Sequence, residues 1–383
     1  MRTRTGGLAV LATALLVPAT AMAVSYPAPS NPGSPAKRPQ NTHTLKVCRH
    51  GNGCIKTIQT AVNKAKAGDT IKIADGTYRE GVKISGARKA WLRLIGNPAK
   101  PGKVVIDAGR KHQDGVFVLN ADNVTLSGLT ARNYTANGFF ALNVTGYDFN
   151  HLVAHNGGAY GLYAFNSKGG KMTSSVAYYN DDGGFYIGQT PVQTKPKRSI
   201  VRNVTSWGNV IGWSGTNMRY VTITKSKFFD NGTGIVPNAL DSEKFAPAED
   251  NVISDNDVFW NNFNYHAGAP FKLRASATSF PYPTGVGILL FGGRRNTVSN
   301  NRVFGNYLVG IGAIEQFVLQ QRDAAQLVSN VVRGNQMGLG GADKNGRDLF
   351  YDGSGNGNCF EANATTSINE PQDNSVFAPC PGP

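Results

Sequence analysis

Helical periodicity is almost absent from this sequence, and so are the short motifs that most often announce chemistry. Without apolar residues recurring at i, i+3, i+4 and i+7 over long stretches, helical bundles and helical arrays are excluded. There is no GxSxG, no HExxH and no P-loop, which removes nucleophile-elbow hydrolases, that class of zinc protease and P-loop nucleotide hydrolases. Only 16% of the residues are charged, and acids are the scarcer sign, with 24 Asp and Glu against 39 Lys and Arg. Cysteine is rare at four, too few for a disulfide-built scaffold in 383 residues. Past the first 23 residues no segment is apolar enough to serve as a membrane anchor.

What the chain has instead is glycine, 46 of them, and a metronome of asparagines. Asn133, Asn156, Asn180, Asn209, Asn231, Asn261, Asn306 and Asn335 are separated by steps of 23, 24, 29, 22, 30, 45 and 29 residues. Each closes a short alternating apolar run and precedes small residues, a Gly and a second apolar run, as in LTARNYTANGFFALN and LVAHNGGAYGLYAFN. Short strands and turns at a fixed period specify a solenoid. Five residues before each Asn lies a turn column, Gly128, His151, Ser175, Ser226, Asn256, Asn301 and Asn330, with Asn203 six before its own. Small and amide residues there suit a left-handed bend. A third polar column, Asn143, Asn166, Gln189, Asn217, Asn238 and Glu315, ends the next strand. On that strand, alternation turns Phe139, Leu162, Phe185, Trp213, Ile235, Ile288 and Ile311 inward, and stacks Phe140, Tyr163 and Tyr186 on the outer face.

The ends read differently. Arg2 and Arg4, an apolar run from Leu8 to Val17 and Ala21-Met22-Ala23 form a secretory signal over 1–23. A Pro/Ser-rich linker covers 24–44, the solenoid 45–339 and a C-terminal cap 340–383. Apolar spacing from Ile55 to Ala65 predicts a short amphipathic helix that closes the first coil. In an oxidising compartment the local pairs Cys48 with Cys54 and Cys359 with Cys380 would each close a small loop; a zinc site would want CxxC spacing and a His cluster. The net charge of +15 favours an acidic partner outside the cell. Scattered basic residues, with no recognition helix or RNA-binding aromatic motif, argue against nucleic acid.

The stretch TIQTAVNKAKAGDTIKIADGTYREGVKI, followed by VVIDAG and DNVTLSGLTARN, resembles the entry to the right-handed parallel β-helix of the pectin-lyase-like superfamily, with repeats of the PbH1 type. The resemblance spans roughly 45–335 and implies an all-β, single-stranded right-handed parallel β-helix. Proteins sharing that fold include polysaccharide lyases, uronan C5-epimerases, some glycoside hydrolases and non-catalytic surface proteins, so it implies chemistry only loosely.

The expectation is a secreted protein that binds and processes an acidic or cell-wall polysaccharide, lyase- or epimerase-like before glycosidase-like. The rival is a non-catalytic extracellular scaffold. Removing a proton beside a uronate carboxylate needs that charge masked and a base in place. Asp181 and Asp182 enter the third strand, Glu315 leaves it, and His266 sits in the longest of three insertions, 189–199, 238–250 and 262–284. These four are the catalytic candidates. A hydrolase would pair Asp181 or Asp182 with Glu315 or Asp241. Phe140, Tyr163 and Tyr186 are the candidate sugar platforms, and Lys171, Arg219, Lys195 and Lys197 the cations for substrate carboxylates. Calcium stays a possible cofactor, although the strands carry no acidic cluster and no metal ligand set can be named. DGSGNG from Asp352 matches half of a calcium loop but has Asn363 at its twelfth position, which suits a glycine-rich turn better.

Overall fold

The computed structural model describes residues 37–265, 282–317, 319–320 and 322–381. The expected leader, most of the linker and His266 lie outside the described residues.

Alternating β-branched and aromatic residues build short strands that can bury only one edge of each pleat, so coil must stack on coil. Ten strands, from Val82–Ser85 to Leu349–Tyr351, stack in chain order as one parallel sheet. A second parallel sheet of twenty strands forms the other two flanks. The strand Asp148–Gly157 shows how they join. His151 takes a φ of 51°, and the strand bends there. On one side of the bend Phe149 pairs with Leu126 and Met172; on the other Ala154 pairs with Ala131 and Ala177. Phe149, Leu152, Ala154, Leu162 and Ala164 of this coil all point into the axis and are fully buried. One continuous core runs from Val47 to Phe360. The inward column from Phe139 to Ile311 is buried as the alternation requires.

The asparagines fasten coil to coil. Asn180, Asn209, Asn231, Asn261, Asn306 and Asn345 form a file in which each Nδ2 donates to the next Oδ1 over 2.9 to 3.2 Å. Two parallel files run through Asn256, Asn301, Asn335 and Asn363, and through Asn251, Asn296, Asn330 and Asn358. Three details depart from the sequence reading. Asn133 and Asn156 stand at left-handed bends one position before the file, where Gly157 aligns with Asn180. Asn335 follows Asn301 rather than Asn306, because the short helix Arg322–Ala325 and its flanks lengthen that coil. From the third coil on, the left-handed bend falls one residue earlier, at Ser174, Lys225, Asp255, Asn300 and Ser329. The predicted column, Ser175, Ser226, Asn256, Asn301 and Asn330, turns inward instead and is buried, and Asn330, like Asn335, belongs one file over, after Asn296. A buried amide that satisfies two coils outweighs the αL preference of a small residue.

A second aromatic file, not anticipated, runs along the outside of one flank. His155 stacks on Tyr178 at 4.8 Å, Tyr178 on Trp207 at 4.7 Å, Phe229 on Phe259 at 5.0 Å and Phe259 on Phe304 at 4.8 Å. Interplanar angles of 2° to 9° turn ring edges to the solvent, so the file serves packing between coils.

Ile58–Lys64 is the closing helix, shorter than expected, since Ile55 bridges to Val47 and Thr57 takes the N-cap. Its first N–H groups are met by Thr57 Oγ1 at 3.2 Å and by the Glu80 carboxylate at 2.9 Å; Lys89 Nζ caps its end at Val62 O, 2.6 Å. At the far end the winding runs past residue 339, and Asn358 and Asn363 carry two of the amide files with it. Leu349–Tyr351 and Cys359–Glu361 still pair with the coil before them, and Phe377 then packs edge-on against Phe360. Both cysteine pairs are bonded, Cys48 to Cys54 and Cys359 to Cys380. Replacing Cys359 and Cys380 by Ser frees a 21-residue span and should cost about 3 kcal/mol. The expected outcome is a lower Tm that reductant changes less than it changes the wild type's, since Cys48–Cys54 is the one bridge left, with hydrogen exchange rising first in 349–378.

Candidate functional site

The outer face of the ten-stranded sheet carries one register row from coil to coil: Lys83, Phe117, Phe140, Tyr163, Tyr186, Ser214 and Val236. The aromatic part is packed tightly. Phe140 lies between Phe117 at 5.0 Å and Tyr163 at 4.5 Å, and Tyr186 meets Tyr163 edge-on at 4.6 Å. Phe140 and Tyr186 are each 1% exposed, so neither offers a ring face to a sugar. That corrects the reading of both as platforms; Tyr163, half-buried, is the member of the trio left partly accessible. Alternation shows which way a side chain points and not what comes to lie over it.

What lies over Tyr186 is the 238–250 insertion. Asn217 of the third polar column straps it down, donating to Leu240 O at 2.9 Å and Glu243 O at 2.8 Å, while Lys244 N–H donates to Gln189 Oε1 at 2.8 Å. Held so, Glu243 receives the Tyr186 O–H at 2.5 Å and 2.6 Å on its two oxygens. Asp182 stands at the entrance of the strand Gly183–Gly188, where Tyr160 hydrogen-bonds its carboxylate. Tyr160 in turn packs 4.7 Å from Tyr163 and 4.9 Å from Tyr186. Tyr265 and Tyr282 complete the wall: Tyr265 O–H donates to Tyr282 O at 2.7 Å, and the Tyr282 hydroxyl accepts from Asn238 Nδ2 at 2.5 Å.

This environment penalises charge. Burial lifts the Asp182 carboxyl to about 6, against the Tyr160 hydrogen bond that lowers it. Burial also lifts Glu243 to about 8, with the charge on Asp182 adding to the rise. Two carboxyls in one cluster of tyrosines are thereby driven to different protonation states near neutral pH, which is the pattern of an acid and a base.

The other candidates are dispersed. Asp181 is buried against the coil interior, where its charge is felt by Tyr134. Glu315 lies four coils beyond Asp182, ~19 Å along the axis at the usual strand spacing, and is ion-paired with Arg322. The expected pairing of Asp181 or Asp182 with Glu315 is therefore not made. Asp241 accepts the Gln320 N–H at 2.6 Å on the surface of the turn. Arg219, 3% exposed, donates to Glu249 at 2.6 Å and to Phe245 O; it is an internal tie rather than a substrate cation. Lys171 opens the strand that lines up two coils on with Val221–Thr224, and Lys197 lies over Gly169, so both stand at the corner that Arg219 also occupies, where Arg219 alone is buried. Lys195 is exposed on the first insertion.

Further along the outer face, a cleft of about 300 Å³ opens beside Leu289, Gly312, Phe350, Glu315 and Phe317. Asp352 Oδ2 accepts the Glu315 N–H at 2.6 Å and its Oδ1 the Ser354 N–H at 2.9 Å, the geometry of a turn. Among the described residues no three His, Cys, Asp or Glu side chains converge as metal ligands, and no helix is long and apolar enough to cross a membrane.

Residues 103–256 match the family model described as the right handed beta helix region. The chain is a right-handed parallel β-helix. No curated protein matches this β-helix by sequence. Among solved structures it is similar to the A-modules of two mannuronan C-5 epimerases of Azotobacter vinelandii. For AlgE6 the TM-score is 0.58 at 16% identity, covering 82% of this chain and 92% of that one. For AlgE4 the TM-score is 0.54 at 16% identity, covering 81% and 89%. The Agl-KA catalytic domain gives a TM-score of 0.54 at 12% identity, covering 88% and 67%. At these identities the likeness speaks for the fold of the β-helix, and the site has to be argued from its own residues. Glu243 was the residue sequence reasoning passed over. Its signal was the insertion after Asn238, but only the amide straps of Asn217 and Gln189 fold that loop back over Tyr186.

Proposed function

We propose that this β-helix is a glycan-processing enzyme with Glu243 as general acid and Asp182 as general base. The observation that carries the reading is the clustering of two carboxyls, both raised by burial, among Tyr160, Tyr186, Tyr265 and Tyr282 on the outer face. Near pH 7 Glu243 holds its proton and can pass it to a glycosidic oxygen as the bond to C1 breaks. Asp182, ionised, takes a proton from the water that attacks C1, or attacks C1 itself and is later released by water. Tyr160 and Tyr186 hold the two carboxyls in place. Among the described residues no cation figures in the groups that shift Asp182 or Glu243, which favours a neutral sugar ring at the point of cleavage over a uronate. The solved relatives named as epimerases support the carbohydrate class, and they keep proton transfer at a uronate carbon as a second reading. The two disulfides support an exported protein. The non-catalytic reading draws support from the buried Phe140 and Tyr186.

A panel of neutral and acidic polysaccharides separates these. Hydrolysis releases reducing ends, a lyase releases an unsaturated uronate seen in the ultraviolet, and epimerisation changes the C5 proton signal. Reducing ends from a neutral glycan are the expected result; no product from any member of the panel would leave the scaffold reading standing. The rate should also follow a bell against pH. The acid limb reports deprotonation of Asp182 near 6 and the alkaline limb loss of the Glu243 proton near 8, with the maximum between them. A rate still rising above pH 9 would remove Glu243 from the acid role.

A further inference from the structure

A second concave surface lies on a different flank, where a groove of about 420 Å³ crosses the early coils. Its floor is a column of left-handed bends: Trp91 at φ 62°, Asn123 at 58°, Gly146 at 80° and Gly169 at 63°. Two of the four are glycine, so the floor is bare where a side chain would fill it. A Cβ at Gly146 would stand 2.3 Å from Asn123 Oδ1. Beside this column the sheet register sets Arg93, Asp148 and Lys171 in one row. Arg93 and Lys171 are three coil steps apart, ~14 Å, and Arg38 stands at the rim.

All three cations are exposed, and among the described residues none of them is ion-paired. Asp148, the one acid among the residues lining the groove, has its Oδ1 taken up by Asn150 Nδ2 at 3.1 Å. Cations aligned with the coil axis, on a floor kept open by glycine, make a track for a chain with anions at intervals.

We propose that this groove is a binding site for a linear, carboxylate-bearing polysaccharide lying along the coil axis, separate from the Asp182–Glu243 pair. Arginine forks match carboxylates, lysine adds a point charge, and an indole wall suits the apolar face of a sugar ring. The surplus of 39 basic over 24 acidic residues steers such a chain toward the protein. A single-stranded nucleic acid would call for a series of exposed aromatic faces, and a bilayer for an apolar rim; the groove has one indole and a polar rim. The site would anchor the enzyme on an acidic polymer while its other face works on a neighbouring glycan.

Affinity electrophoresis of the full chain tests it, in gels holding alginate, polygalacturonate, a neutral β-glucan or no polymer. The wild type should be retarded by at least one acidic polymer and not by the glucan. Arg93→Glu with Lys171→Glu should weaken that retardation at least tenfold, whereas Lys103→Glu with Lys111→Glu, an equal change of net charge elsewhere, should leave it nearly intact. Glu243→Gln should be retarded like wild type, so the outcome stands apart from whether any glycan is cleaved. The proposal is overturned if neither acidic polymer retards the wild type, if both double variants weaken it equally, or if single-stranded DNA or anionic vesicles bind the groove more tightly. Circular dichroism of each variant, matching wild type, certifies that the fold is kept.

Discussion

The Glu243→Gln protein is expected to fold and to lose about a thousandfold in glycan cleavage, the usual contribution of a positioned general acid. Glutamine keeps the shape and can still accept the Tyr186 O–H, now 2.5 Å from a carboxyl oxygen, but has no proton to give. KM should change little, because the loss falls on the step in which the leaving oxygen is protonated. The alkaline limb of the pH profile should vanish with it, while the acid limb near 6 remains for Asp182. Stability should move the other way. The folded-state value of Glu243 lies above its ordinary one, so its favourable contribution is complete below about 4.5 and disappears as pH climbs through about 8. Wild type should therefore melt lower at pH 9 than at pH 5, and the variant should lose much of that slope. A gain of stability at high pH bought with activity is what a strained catalytic group produces. Unchanged turnover in Glu243→Gln, with the expected melting behaviour, would return Glu243 to a structural role.

The second large effect concerns the fold. Asn231→Leu, close in volume, should destabilise by about 4 kcal/mol. Asn231 is fully buried; its Nδ2 donates to Ser206 O at 3.0 Å and Asn261 Oδ1 at 3.1 Å, and its Oδ1 accepts from Asn209 N at 3.2 Å and Nδ2 at 3.0 Å. Leucine strands the Asn209 backbone N–H, takes one acceptor from its side-chain amide, which keeps Ser206 Oγ and Trp207 O, and removes the amide donor from Ser206 O in a dry core, the stranded groups costing about 1 to 3 kcal/mol each. Asn133→Leu should cost less, about 1 to 2 kcal/mol, most of it from placing leucine at a φ of 56°, since Asn133 is only half-buried and reaches Asp107 at 3.0 Å. Equal losses at the two positions in chemical denaturation would deny the internal file its special weight.

The repeat was legible because a solenoid writes its geometry into spacing, and the inward column from Phe139 to Ile311 followed from alternation alone. The closing helix and the local cysteine pairs were legible for the same reason: each is decided within about 20 residues. The amide files were off by one residue at the bend, and Asn335 by one column, since a buried hydrogen bond between coils outranks a local turn preference. The candidate site was half legible. Asp182 sits in a visible NDDGG turn, and Tyr163 and Tyr186 in a visible row. Glu243 could not be placed, because its position depends on two amides from earlier coils pulling a loop back across the sheet. Arg219 looked like an available cation until Glu249, 30 residues on, proved to be its partner.

The amide files have a direction. From Asn180 to Asn306 every Nδ2 gives one hydrogen to the next asparagine toward the C-terminal end, and from Asn209 to Asn345 every oxygen faces back to receive it. A single amide swivelled about its terminal bond would set NH₂ against NH₂ on one side and oxygen against oxygen on the other. No member can turn alone, so orientation is a property held in common by the whole column, and the two tips of the rod are chemically unlike. Any second rod that continued the column would have to point the same way.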